Sequence, residues 1–163
     1  MTRKNIHVHT SYLHEVFYPN IFRKKVKTAT LKVKSFKEKN GIDAIAFTGT
    51  SGAALAYPVA YNLNLGLINV RKLTERSHFT RGDYGPVEGF LSSKKYVIID
   101  DFIESGKTIK YILSNVKKAQ KAQFMSPASC SAILLYGSTD DARHFNGIPL
   151  FHFGSETELN NLK

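Results

Sequence analysis

Two adjacent carboxylates, Asp100 and Asp101, follow an apolar run and precede a turn that is rich in glycine and hydroxyl groups. The turn contains Ser105, Gly106 and Thr108, and a predicted helix begins beside it. Backbone N–H groups, hydroxyls and the positive end of a helix dipole together suit a phosphate dianion. The carboxylates can accept hydrogen bonds from sugar hydroxyls or help to hold a divalent cation. This spacing therefore predicts a site for a sugar phosphate.

The end of the same turn, Gly106-Lys107-Thr108, also matches the end of a loop that binds nucleoside triphosphates. That loop requires a glycine at position 101, where this chain has Asp101. A carboxylate there would direct negative charge toward the phosphates. The sequence therefore disfavours a nucleoside triphosphatase.

Two further polar segments come directly after predicted strands. Because the carboxyl ends of parallel strands meet at one edge of a sheet, we expect both segments to lie close to the acidic turn. Their small and cationic residues can supply backbone donors and positive charge to an anion. The segments are Thr48-Gly49-Thr50-Ser51-Gly52, after the strand at 42–47, and Arg71-Lys72, after the strand at 67–70.

The elements that must position these residues alternate between strand and helix. This alternation predicts an α/β fold, a parallel sheet with helices on both faces. The segment 73–90 is polar and rich in glycine, which predicts a long loop with short strands at most. The remaining predicted strands cover 96–99, 128–136 and 148–153, the predicted helices cover 26–40, 52–64 and 107–123, and a short helical turn covers 140–145.

Length and composition favour one compact domain over residues 1–163, because 42% of the residues are apolar and 22% are charged. The single cysteine, Cys130, has no partner for an internal disulfide, and no segment is long and apolar enough to span a membrane. We therefore expect a cytoplasmic protein.

The net charge of +10 is concentrated in residues 1–40, which hold ten Lys or Arg against Glu15 and Glu38. Such a block can attract phosphates or nucleic acid, or it can be a solvated helix face.

The segment from Val97 to Thr108 resembles the phosphoribosyl pyrophosphate signature of type I phosphoribosyltransferases. Its Glu104 and its Gly-Lys-Thr ending are especially similar to the hypoxanthine-guanine branch. Upstream, the segment from Phe47 to Gly52 and the strand ending in Arg71 and Lys72 resemble the pyrophosphate loop and the matching strand of adenine and orotate enzymes. The resemblance covers roughly residues 42–136.

The resemblance implies transfer of the 5-phosphoribosyl group from phosphoribosyl pyrophosphate to a nucleobase, with release of pyrophosphate and with Mg²⁺ as the cofactor. A purine is favoured as the acceptor, and orotate is the alternative. The resemblance also implies a homodimer and a small hood from the chain ends, with 1–25 as one part. A lid over 73–90 would exclude water.

The resemblance also implies roles by position. Asp100 and Asp101 would bind the ribose hydroxyls and hold Mg²⁺, and Glu104 would accept a proton from the base. The substrate-binding set is Ser105, Gly106, Lys107 and Thr108 for the 5′-phosphate, and Thr48, Gly49, Thr50, Ser51, Gly52, Arg71, Lys72 and Tyr84 for the pyrophosphate. Arg76 and Arg81 are further lid candidates.

An alternative assigns the same fold to a non-catalytic or regulatory protein that senses phosphoribosyl pyrophosphate or a nucleotide. In that interpretation the basic residues 1–40 would bind nucleic acid. Tyr136 has two interpretations as well, a core residue or a ring that stacks on the base.

Overall fold

The computed structural model describes residues 13–72, 85–137 and 143–152. Short apolar runs form the strands, and longer amphipathic runs form the helices that connect them. After a 3₁₀ turn at His14–Phe17, the helices are α1 (Pro19–Asn40), α2 (Gly49–Leu63) and α3 (Lys107–Ala122). The strands are β1 (Ala44–Phe47), β2 (Gly66–Val70), β3 (Val87–Gly89), β4 (Lys95–Asp100), β5 (Ser129–Leu135), β6 (His144–Phe145) and β7 (Ile148–His152).

The strands form one sheet in the order β3-β2-β1-β4-β5-β7-β6. The five inner strands, β2, β1, β4, β5 and β7, pair in parallel, and an antiparallel strand closes each edge. Helices α1 and α2 pack on one face and α3 packs on the other. The predicted α/β class, with a parallel sheet between helices, is confirmed.

Helix α1 begins at Pro19, seven residues before the predicted start at 26. Proline is favoured at the first helical position, because it lacks the backbone N–H that would have no partner there. The helix ends at Gly41, which adopts φ +67° and donates its N–H to the Lys37 carbonyl. Residues 19–25 of the predicted hood therefore belong to α1, where Phe22 packs against the core. Residues 1–12 lie outside the described residues.

The predicted helical turn at 140–145 is wrong for its last two residues, because His144 and Phe145 form β6. They pair antiparallel with β7, and the connection is Asn146-Gly147 with φ of +51° and +80°. This dipeptide favours a tight hairpin turn, because both residues tolerate positive φ. It was the available signal for the hairpin, and residues 140–142 lie outside the described range.

The predicted loop at 73–90, for which short strands were allowed, contains the three-residue strand β3 at Val87–Gly89, which pairs with β2. Leu73 to Tyr84 lie outside the described residues, and so do the lid candidates Arg76, Arg81 and Tyr84. In the described part of the chain, no helix is long and apolar enough to cross a membrane.

Gln120 stabilises the carboxyl-terminal end of α3, which lies at the edge of the sheet opposite the carboxyl ends of the strands. Its side chain is fully buried, and its amide nitrogen donates to the carbonyls of Leu91 and Ser93, each at 2.9 Å. Its oxygen accepts from the Ala128 N–H at 2.7 Å. The side chain therefore satisfies three backbone groups in two connecting segments.

Replacing Gln120 with leucine is expected to lower the free energy of unfolding by about 3 kcal/mol, since three buried polar groups lose their partner. Urea denaturation measures the change. Ser114→Ala on the same helix is the control, because Ser114 is exposed, and we expect a loss of under about 0.5 kcal/mol. Equal effects of the two substitutions would contradict this role.

Candidate active site

A cavity of about 260 Å³ lies at the carboxyl ends of β1 and β4. In a parallel sheet this edge receives the loops that lead into the following helices, so residues distant in sequence meet there. Ligand sites in such folds lie at this edge. The lining residues are Thr48, Ser51, Lys72, Asp100, Asp101, Phe102, Ile103, Glu104, Ser105, Gly106, Thr108 and Ile109.

The acid pair forms the floor of the cavity. Asp100 is the last residue of β4 and Asp101 follows it, and the two are only 4% and 6% exposed. The Asp100 Oδ1 accepts from the Asp101 N–H at 3.0 Å and from the Ser51 hydroxyl at 3.3 Å. The Asp101 Oδ1 accepts from the Phe102 N–H at 3.0 Å. Two carboxylates are thus held rigidly beside each other at a strand end.

The pKa of the Asp100 carboxyl is raised from 3.8 to about 7, chiefly because burial disfavours the charged form and secondly because the negative charge of Asp101 lies beside it. The hydrogen bonds from the Asp101 N–H and the Ser51 hydroxyl act in the opposite direction. A cation, or hydroxyl donors that arrive with a ligand, would stabilise the charged form of such a carboxyl.

The turn that the sequence predicts to bind phosphate, called the phosphate turn below, ends at Gly106, which adopts φ +68° and directly precedes α3. Its small size is required as well, because a Cβ at this position would lie 2.2 Å from Cε2 of Phe145. The aromatic ring of β6 therefore closes one side of the turn. The sequence prediction missed Phe145, since only the tertiary fold brings β6 beside α3.

Residues 48–52, which the resemblance assigns to pyrophosphate, are organised differently from the predicted loop. Helix α2 begins at Gly49, so residues 49–52 form its first turn and only Thr48 precedes it. Thr48 is buried, and its hydroxyl donates to the Val70 carbonyl at 2.5 Å. A Cβ at Gly52 would lie 2.9 Å from Cβ of Phe47 and 3.0 Å from the Ile99 carbonyl oxygen, so glycine allows α2 to approach the sheet closely.

Comparison with solved structures finds a similar fold in phosphoribosyltransferases. An adenine phosphoribosyltransferase from Thermoanaerobacter pseudethanolicus is 18% identical, with 85% of this chain and 82% of that chain covered and a TM-score of 0.60. An adenine phosphoribosyltransferase from Leishmania tarentolae is 13% identical, with coverages of 96% and 80% and a TM-score of 0.61. An orotate phosphoribosyltransferase from Francisella tularensis is 13% identical, with coverages of 91% and 74% and a TM-score of 0.53.

The chain has the type I phosphoribosyltransferase fold. No protein-family model matches the sequence, and a comparison with curated proteins finds no match. The likeness is therefore one of fold, at 13–20% identity.

Within the type I phosphoribosyltransferase fold, Lys72 reaches the cavity and Arg71 does not line it. A guanidinium nitrogen of Arg71 lies 2.5 Å from a carboxylate oxygen of Glu88 on β3. Lys72 lies against Gly49, where a Cβ would be 2.8 Å from its Cε. The sequence prediction assigned both cations to pyrophosphate and missed Glu88, because the pairing of β2 with β3 was not predicted.

Several predicted site residues do not line the cavity. Gly49, Thr50 and Gly52 lie in the first turn of α2, and Lys107 is the first residue of α3 and is exposed. Their backbone N–H groups belong to first helical turns, which suit anions.

The basic residues of α1 have intramolecular contacts. The ammonium groups of Lys25 and Lys37 donate to the carbonyls of Tyr136 and Leu63, each at 2.6 Å. Lys32 lies 5.5 Å from the ring centroid of Phe151, and Lys34 pairs with Glu38 at 3.8 Å. Part of this charge therefore contacts other elements of the fold, and the regulatory alternative is not favoured.

The ligand-free protein is expected to lose stability as the pH rises from about 4 to about 7. Because the pKa of Asp100 is raised in the folded state, its carboxyl ionises at a lower pH in the unfolded chain than in the folded protein. The free energy of unfolding therefore falls as the pH rises across this window. Replacing Asp100 with asparagine removes this contribution to the pH dependence of stability. At pH 8 we expect the variant to be more stable than wild type by roughly 2–4 kcal/mol.

Urea denaturation at pH 5 and pH 8, without divalent cations, measures this difference. Glu104→Gln is the control, since Glu104 lines the same cavity but is exposed. If Asp100→Asn and wild type lost stability equally between the two pH values, burial of the carboxylate would not be the cause.

Proposed function

We propose that this protein is a phosphoribosyltransferase that transfers the 5-phosphoribosyl group of phosphoribosyl pyrophosphate to a nucleobase. One observation carries the proposal: a buried acid pair and the amino-terminal turn of a helix share one cavity at the carboxyl edge of the sheet. Carboxylates accept hydrogen bonds from vicinal hydroxyls, and the helix turn accepts a phosphate. A phosphorylated pentose presents both groups at a fixed separation.

The 5′-phosphate is assigned to the turn from Glu104 to Thr108. Ser105 and Thr108 line the cavity and bring hydroxyl donors, and α3 begins at Lys107. The helix dipole and the backbone N–H groups of the first turn stabilise a dianion. Lys107 adds positive charge at the same helix end.

The pyrophosphate is assigned to the opposite side of the acid pair, at the start of α2. Ser51 and Lys72 line the cavity there. The backbone N–H groups of residues 49–52 lie in a first helical turn and can donate to the leaving group. Lys72 neutralises the charge that develops as the bond breaks.

Mg²⁺ is assigned to the acid pair. Among the described residues, no group of three or more His, Cys, Asp or Glu could hold a metal alone. Two adjacent carboxylates fit an ion that takes its other ligands from water and substrate oxygens, as Mg²⁺ does in phosphate chemistry. When bound, Mg²⁺ neutralises charge on the leaving pyrophosphate.

The reaction breaks the bond between C1 of the ribose and the pyrophosphate oxygen and forms a bond between C1 and a ring nitrogen of the base. The transition state resembles the oxocarbenium ion of glycoside cleavage. Asp100 and Asp101 place negative charge beside the electron-poor ribose, which stabilises that state more than the ground state. The proton lost from the base passes to Glu104, whose exposed carboxylate lines the mouth of the cavity.

The decisive assay incubates the protein with phosphoribosyl pyrophosphate, Mg²⁺ and one base from a panel of adenine, hypoxanthine, guanine and orotate, and measures pyrophosphate release. We expect release with a purine, because the turn with Glu104 and Lys107 resembles purine enzymes. Release with orotate alone would correct the acceptor. Absence of release with every base would contradict the proposed activity.

A further inference from the structure

Three residues from different elements form a closed ring of hydrogen bonds beneath the cavity. The Ser51 hydroxyl donates to the Asp100 carboxylate at 3.3 Å. The Tyr136 N–H donates to the Asp100 carbonyl at 3.2 Å. The Tyr136 hydroxyl donates to the Ser51 carbonyl at 2.7 Å, which closes the ring. The ring therefore joins the start of α2, the end of β4 and the residue after β5.

Tyr136 is the rigid member of this ring. Its side chain is 1% exposed and is the largest fully buried one in the described chain. It packs in the core that α1 and α2 share with the sheet, among residues that include Phe47 and Leu55. Because the aromatic ring of Tyr136 is packed on all sides, the position of its hydroxyl is fixed. The position of the Ser51 carbonyl therefore depends on the Tyr136 hydroxyl. This burial also excludes the stacking of Tyr136 on a base.

Two further contacts lock the backbone around Tyr136. The Lys25 ammonium, with Lys25 only 7% exposed, donates to the Tyr136 carbonyl at 2.6 Å, so α1 is tied to the same point. The Gly137 N–H donates to the Asp101 carbonyl at 2.7 Å. Both carboxylates of the site are therefore held through their own backbones by residues 136 and 137.

We propose that Tyr136 is the positioning residue of the site, which sets the distance between the helix turn that receives pyrophosphate and the acid pair that receives ribose. The inference rests on the proposed function and adds a residue to it. Phosphoribosyl pyrophosphate presents its ribose hydroxyls and its pyrophosphate at a separation fixed by covalent bonds. A site that matches this separation before binding avoids the cost of ordering two elements on each turnover.

Tyr136→Phe tests the inference, because it keeps the aromatic ring and removes the hydroxyl, which opens the ring of hydrogen bonds. We expect kcat/KM for phosphoribosyl pyrophosphate to fall about tenfold, chiefly through a higher KM, which is the scale of one hydrogen bond. The KM for the base is expected to stay within about twofold, since the base does not bridge the two elements. The matched control is Tyr96→Phe, a tyrosine that is 2% exposed near the opposite end of β4.

Hydrogen exchange without substrate gives a second readout. In Tyr136→Phe we expect the backbone amides at the start of α2 to exchange about tenfold faster than in wild type, with no such change in Tyr96→Phe. Lys25→Met, which keeps the aliphatic stem, is expected to give a smaller change in the same direction. These measurements are independent of catalysis.

The outcomes separate the two proposals. A wild-type protein that neither binds nor turns over phosphoribosyl pyrophosphate overturns the proposed function and the placement role with it. An active wild type whose Tyr136→Phe variant has kinetics like those of Tyr96→Phe overturns the role of Tyr136 alone. A rise in both Michaelis constants by the same factor would also overturn it, because that pattern indicates general loosening of the fold.

Discussion

Replacing Asp100 and Asp101 together with asparagine is expected to lower kcat/KM at least a thousandfold while the fold stays intact. Each carboxylate is nearly fully buried at the floor of the cavity. A hydrogen bond to a charged acceptor is worth about 1.5–3 kcal/mol, so loss of two of them alone reaches about 3–6 kcal/mol. That energy corresponds to roughly 10²–10⁴ in rate. If the acid pair holds Mg²⁺ as proposed, loss of these ligands would lower the rate further.

The fold should tolerate the double substitution, since asparagine has nearly the same shape and removes two buried charges. Circular dichroism and thermal melting check this, and pyrophosphate release measures the activity. The control is Asp43→Asn at the opposite edge of the sheet, where the carboxylate accepts from the Lys94 N–H at 2.9 Å and the Ser93 hydroxyl at 2.5 Å. We expect Asp43→Asn to lower stability and to leave kcat/KM within about threefold at a temperature where it is folded.

Retention of more than a tenth of wild-type activity by the double variant would exclude the acid pair as the ribose site. The opposite pattern, loss of activity in the Asp43 variant at full folding, would indicate that the sheet edge away from the cavity contributes to turnover.

Gly106→Ala is expected to raise the dissociation constant for phosphoribosyl pyrophosphate at least thirtyfold. Two costs act at this position. A side chain disfavours φ +68° by about 1–2 kcal/mol, and the added Cβ would lie 2.2 Å from Cε2 of Phe145. The turn must therefore move, and with it the N–H groups to which the 5′-phosphate is assigned in the proposed function. Isothermal titration calorimetry with phosphoribosyl pyrophosphate and Mg²⁺ measures the loss.

Gly147→Ala is the matched control, because Gly147 adopts φ +80° and a Cβ there would meet nothing within 4 Å. Gly147→Ala carries the cost of a side chain at positive φ without a contact with Phe145. We expect it to lower the free energy of unfolding by about 1 kcal/mol and to leave the affinity for phosphoribosyl pyrophosphate unchanged. Combining Gly106→Ala with Phe145→Ala should recover part of the affinity by removing the clash. Affinity of Gly106→Ala equal to that of wild type would show that this turn does not bind the phosphate.

The local pattern from Val97 to Thr108 was sufficient to predict a strand, an acidic pair and the start of a helix. The structure has the strand at Lys95–Asp100 and the helix from Lys107. Such predictions succeed because a buried strand and an amphipathic helix are encoded by residues next to one another. The start of α2 was predicted at 52 rather than Gly49, since glycine and hydroxyl residues suit both a loop and a first helical turn.

Composition, periodicity and motif spacing by themselves determined that this chain is an α/β protein, and they located the acid pair and the glycine-containing turn that lie together at the carboxyl edge of the sheet. Only the tertiary structure decided that Arg71 pairs with Glu88, that Phe145 closes the phosphate turn, and that Tyr136 joins Ser51 to Asp100. The physical reason is separation along the chain. The members of each of these contacts are 17 to 85 positions apart in the sequence, so no local pattern specifies which of them meet until the sheet is assembled.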